Sequence, residues 1–176
     1  MGVDEAGQND LPRTIDFDDF PAILLEPGVA QCVFGLTHGD NLATQAALLA
    51  RAIAAQGQTR YGEASQLIAI SQEAAADEDP AAQIIGQGLS ARMLADRGRH
   101  DEANELAISA VALAAQTDLL SQHADALLDL SHVLAASGRF SQAQAAATQA
   151  LDLYQRKGNL PGTRESLGYL TRYAQI

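Results

Sequence analysis

The chain has 176 residues, 47% of them apolar, 5% aromatic and none of them tryptophan, which suits one domain with a real core or a short stack of about three helical repeats. A formal net charge of -11 argues against nucleic-acid binding, which requires a basic surface, and against anionic membrane surfaces, which repel an acidic chain. The single cysteine, Cys32, excludes an internal disulfide and any multi-cysteine metal site.

Residues 1–41 read as an acidic, irregular arm. They hold eight acidic groups against Arg13, leaving 14 acidic and 10 basic groups from Leu42 onward, a balance of -4. The arm is rich in aspartate, proline and glycine, with short apolar bursts "IDFDDF" and "AILL". It is expected to be irregular at its start and to dock through Ile15, Phe17, Phe20, Ile23 and Leu24, as a leader, an autoinhibitory segment or the remains of an upstream domain. It opens with Asp4 and Glu5, not with a basic region followed by an apolar one, so no secretory signal is visible. Its longest apolar run, Phe20 to Leu36, is interrupted by Pro21, Glu26, Pro27 and Gly28 and cannot span a bilayer as a helix. A cytoplasmic setting is the expectation.

From Leu42 to the end the chain reads as a helical repeat domain, residues 42–176. Leu42, Ala46, Leu49 and Ile53 follow helical spacing and define one buried stripe. Gly57 closes that helix, and a second is expected over 61–76. The "DEDP" turn follows, with Pro80 placed to open the next helix. Further helices are expected near 81–97, 100–115, 121–136 and 141–156. The landmark glycines Gly57, Gly98 and Gly138 recur at 41 and then 40 residues, the mark of stacked helical hairpins. After "KGNLP", Pro161 begins a terminal helix in which Leu167, Leu170 and Ala174 are expected to cover the open end of the stack.

A glycine ending each first helix, an aromatic place opening each second one (Tyr61, His100, Phe140) and small residues seven apart (Ala64 with Ser71, Ala103 with Ala110, Ala143 with Ala150) resemble tetratricopeptide repeats. The repeat exceeds the usual 34 residues or so. It is similar to the long-helix variety at the C-terminal end of bacterial regulators linked to ATPases and nucleotide cyclases, most closely in "TDLLSQHADALLDLSHVLAASGR" and "ALDLYQRKGN". The resemblance implies an all-α, right-handed solenoid of three hairpins plus a capping helix. It further implies a non-catalytic protein-binding module in signalling or regulation, whose first helices line a concave binding face. No ATPase or cyclase motif is present.

Six places before each landmark glycine stand Arg51, Arg92 and His132, each far from its helix's buried stripe. Stacked, they would form a basic row suited to a carboxylate-bearing peptide. Ordinary surface pairing, Arg92 with Asp96 and His132 with Asp129, is the bland alternative. Ile85, Leu89 and Leu128 would add apolar contact, and Asp125 and Asp129 would restrict the charge pattern accepted. Asp125, Asp129 and His132 share one helix face, yet lack a fourth ligand, so no metal, cofactor or catalytic residue is assigned. His100 is expected to be a packed turn residue, and Cys32 with His38 has nothing to orient it. Gly86 and Gly88, inside a helix, should weaken it locally by roughly 1 kcal/mol each. They would leave room for a bounded pocket if the protein is instead a small-molecule sensor.

Overall fold

The computed structural model describes Ala50, residues 60–74 and residues 79–175, all within one compact unit, Gly39–Ile176. The expected arm with Cys32 and His38, and the first expected helix apart from Ala50, including Arg51 and Gly57, lie outside the described residues. The described chain is all-helical, without strands: α1 Tyr61–Ala74, α2 Pro80–Asp96, α3 His100–Ala114, α4 Leu120–Ala136, α5 Phe140–Lys157 and α6 Leu160–Tyr173.

The helix boundaries follow from local chemistry. Pro80 opens α2, where its missing N–H costs nothing, and the Asp79 carboxylate accepts a hydrogen bond from the Ala82 N–H at 3.1 Å. Asn159 does the same for α6, accepting from the Gly162 N–H at 3.1 Å. α2, α4 and α5 end alike, because Gly98, Gly138 and Gly158 take positive φ of 79°, 75° and 73°. Each turn then closes with paired backbone bonds: Gly98 N–H to Ala95 at 2.9 Å and Arg99 N–H to Leu94 at 3.0 Å, matched at Gly138 and Gly158. This left-handed stop satisfies two orphan carbonyls, and only glycine adopts it without strain. α3 has no such glycine. There the Thr117 hydroxyl donates to the Ala114 carbonyl at 2.9 Å and accepts from the Leu119 N–H at 3.3 Å.

The helices pack in a regular sequence of neighbours. α2 lies against both α3 and α4, α3 against α4, α4 against both α5 and α6, and α5 against α6, while α1 packs on α2. The small residues seven apart make this possible. Ala64, Ala103, Ala110, Ala143 and Ala150 are fully buried and Ser71 is 1% exposed, so neighbouring backbones approach closely over each second helix. Between α2, α3 and α4 the core is Ile84 with Ala110, Ala114 and Ala126, and Ala91 and Ala95 with Ala103, Ala107 and Val133. Between α4, α5 and α6 it is Leu127, Leu128, Leu153, Tyr154 and Tyr169.

The terminal helix packs with a different face from the expected one. Leu167 is 49% exposed and Ala174 is exposed, whereas Gly162, Ser166 and Tyr169 are buried, with Leu170 and Tyr173 partly so. The reason is the ring of Tyr154: a Cβ on Gly162 would lie 2.5 Å from two of its carbons, so α6 seats its glycine directly on that ring. Helical geometry then turns Leu160, Leu167 and Ala174 to the opposite side.

Candidate functional site

The polar side chains singled out in the sequence converge where α2 meets α4. A Cβ on Gly88 would stand 2.4 Å from Asp129 Oδ2, so the bare glycine backbone is what lets this carboxylate enter. Asp129 is fully buried there, and Arg92, one turn further along α2, donates from Nη1 to its Oδ1 at 3.2 Å. The next turn repeats the connection with the donor reversed: His132 Nε2 on α4 lies 2.7 Å from Asp96 Oδ1 on α2. Both contacts therefore run between helices, where the sequence suggested Arg92 with Asp96 and His132 with Asp129 within one. The cross-helix partners are 37 and 36 residues apart, one turn short of the 40-residue glycine spacing. The backbones themselves keep the repeat register, Gly88 meeting Asp129 41 residues on, so each pair forms because the α2 side chain reaches about one turn back along α4: Arg92 to Asp129 and Asp96 to His132.

Tyrosines extend this network. Tyr61 on α1 donates to Asp96 Oδ2, so Asp96 joins three helices, and Tyr154 on α5 donates to Asp125 on α4. The Tyr61 hydroxyl is pushed up to about 12, first by burial and then by its hydrogen bond to the Asp96 carboxylate, against the opposing pull of Arg92. Burial also raises Tyr169 and Tyr173 on α6, and Arg92 opposes it at both. The Arg92 charge thus acts on tyrosines from α1 and α6 together. Tyr173 is further held at Ser131, whose Oγ lies 2.9 Å from its hydroxyl and donates to the Ala143 carbonyl at 2.9 Å.

The expected binding residues divide. Arg92 and His132 are about one quarter exposed, at 25% and 26%, and Asp125 is half-buried, so these three reach the surface. Ile85, Leu89 and Leu128 are 1%, 3% and 0% exposed, and Asp129 0%, so these four are core residues that no partner surface touches directly. Asp125, Asp129 and His132 share a helix face but do not converge, each being turned to its own partner on a different helix. Among the described residues no group of three or more histidine, cysteine or carboxylate side chains is placed to hold a metal ion. The space that the missing Gly88 side chain leaves is taken by Asp129. Gly86 meets Ile68 at an ordinary 3.7 Å.

His100 opens α3 half-buried, with a buried Nδ1 that has no hydrogen-bond partner. It lines an open depression of about 610 Å³ with Asp101, Asn104, Glu105, Ser137 and Arg139, at the glycine turns. The Arg139 guanidinium is already committed there, to Asn104 Oδ1 at 2.7 Å and Ser137 Oγ at 3.0 Å. His123 is lowered by burial.

Sequence reasoning did not anticipate Tyr61 as the partner of Asp96 or Gly88 as the seat of Asp129. A signal for the second existed: a glycine one turn before an arginine, on a helix whose counterpart one repeat later carries an aspartate at Asp129. Among the described residues no helix is long and apolar enough to cross a membrane. Comparison with family models, with characterised proteins and with solved structures finds no match.

Proposed function

We propose that the chain is a tetratricopeptide-like helical repeat module that binds a peptide or a protein domain and performs no catalysis of its own, in signalling or regulation. The observation that carries this reading is the order of helix contacts. Successive first helices α2, α4 and α6 touch one another in a row, and each second helix, α3 and α5, packs on the first helix that follows. Such an arrangement builds one continuous surface from equivalent positions of successive hairpins. Arg92, Asp96, Asp125 and His132 are partly exposed and held in place by cross-helix hydrogen bonds, which suits them to such a surface. Preorganised polar groups of this kind give specificity and register to a bound partner.

Because the basic groups are already bridged to carboxylates, recognition does not reduce to a positive row meeting a carboxylate-rich peptide. The partner instead meets alternating charge, with Arg92 and His132 beside Asp96 and Asp125. The test is affinity capture from lysate with the full chain, identification of the bound protein, and hydrogen exchange of the reconstituted complex. Slowed exchange along α2 and α4 around Arg92 and His132 supports the reading. Protection confined to α3 and α5, or failure to capture any protein, refutes it.

A further inference from the structure

The outward face of α6 carries two exposed leucines with Arg164 between them, Glu165 exposed beside Arg164, and Lys157 just before the helix. Leu160 is 74% exposed and Leu167 49%, and they stand seven residues apart on a helix running from Leu160 to Tyr173. With Arg164 and Thr171 they follow the i, i+4, i+7, i+11 spacing of a single stripe, opposite the Gly162, Ser166 and Tyr169 face that is buried. α6 is therefore apolar on two sides, and only one of them is covered by the core.

The charge around the stripe departs from the rest of the chain. Residues 79–149 carry eight acidic and four basic groups, whereas residues 150–175 carry two acidic and four basic ones. Arg156 and Lys157 close α5 four and three residues before Leu160, and Arg164 lies within the stripe. Arg172 stacks its guanidinium 4.6 Å from the Tyr169 ring centre, and Arg156 makes only a long contact of 3.8 Å with Asp152, both being exposed. Arg164 and Lys157 are exposed and form no ion pair among the described residues. An otherwise acidic protein thus has a basic pole around two exposed leucines.

We infer that this face of α6 is a second docking surface, distinct from the α2 and α4 face, whose occupant is an acidic amphipathic helix of another protein. A helix lying along the stripe would bury Leu160 and Leu167 between its own apolar residues, spaced three or four apart, and its flanking carboxylates would meet Arg164 and Lys157. A second copy of the same face would bring like charges together at Arg164 and Lys157, so charge favours the acidic partner over self-association.

The experiment uses the full chain and two synthetic three-heptad helices with leucine at a and d, one flanked by glutamate and one by lysine, with binding read by fluorescence anisotropy. The glutamate helix should bind and the lysine helix should not, with affinity falling as salt is raised. The double variant Leu160→Gln with Leu167→Gln should weaken binding roughly tenfold or more, as loss of a central apolar anchor does. Both side chains are solvent-exposed, so this variant keeps the fold, checked by circular dichroism. Arg164→Glu should weaken the glutamate helix and admit the lysine helix. Absence of binding, equal binding to parent and double variant, or equal binding of both helices overturns the inference. So does a dimer in sedimentation that the leucine variant abolishes, since that assigns the face to a second copy. Each result is independent of whether α2 and α4 bind a partner.

Discussion

Two glycines two residues apart in α2 should respond to alanine in opposite directions. At Gly86 the added methyl would meet Ile68 at 3.7 Å, an ordinary contact, so Gly86→Ala should stabilise the protein by up to about 1 kcal/mol through helix propensity. At Gly88 it would stand 2.4 Å from Asp129 Oδ2 and 3.3 Å from Cγ. Asp129 is fully buried and cannot swing out to solvent, so either its bond to Arg92 breaks or α4 moves away from α2. Overpacking and strain of a buried ion pair together cost roughly 2–4 kcal/mol, and the propensity gain offsets about 1 of these. Net destabilisation of about 1–3 kcal/mol should lower the urea midpoint by roughly 1 M, for a slope of about 2 kcal/mol/M. The assay is urea denaturation followed by helical circular dichroism on parent, Gly86→Ala and Gly88→Ala. Repeating Gly88→Ala in an Asp129→Ala background isolates the contact, because without the carboxylate the new methyl should no longer cost anything. If Gly88→Ala raises the midpoint as Gly86→Ala does, or costs as much without Asp129 as with it, the argument that the glycine exists to seat this carboxylate is wrong.

Gly162→Ala should cost about 1–3 kcal/mol by pushing on the Tyr154 ring, whereas Gly168→Ala, which meets open space, should be neutral or stabilising, both read from urea midpoints. Gly138→Ala should cost roughly 1–2 kcal/mol, because its φ of 75° is left-handed; a stabilised variant would contradict the turn geometry. The Tyr61 hydroxyl is raised in the folded state from its ordinary 10.0 to about 12, so its contribution to stability is complete below pH 10 and lost as the pH rises from 10 to 12. Tyr61→Phe should therefore flatten the fall in stability over that window, and an unchanged alkaline profile would count against the Tyr61–Asp96 bond. Spectrophotometric titration of tyrosinate should show Tyr169 and Tyr173 also ionising above the ordinary range, because burial raises both.

Much of the helix layout is local information. Pro80, Asp79 and Asn159 mark starts, and Gly98, Gly138 and Gly158 mark stops, each through a cap bond made within a few residues of chain. The alanines seven apart likewise revealed which side of α3 and α5 would be buried, since helical spacing alone puts them on one stripe. The candidate site was less legible. Arg92, Asp125 and His132 could be placed on helices as surface-reaching groups, but their partners depend on how closely neighbouring helices approach and which side chains then meet, which no local pattern encodes.

What the sequence by itself determined is therefore what depends on neighbours along the chain: six described helices, their ends, their repeat length and the acidic balance that disfavours nucleic acid. What only the tertiary structure decided is every relation between helices. The approach of α4 to α2 at Gly88 put Asp129 within reach of Arg92 and His132 within reach of Asp96, in place of the pairs within a helix. The close approach at Gly88 buried a carboxylate that looked exposed on a helical wheel. The seat of Gly162 on Tyr154 turned Leu160 and Leu167 outward. The physical reason is common to all three: the absence of a side chain at a glycine sets how near two helices come. That distance is settled by the side chain on the opposing helix, dozens of residues away in the case of Asp129.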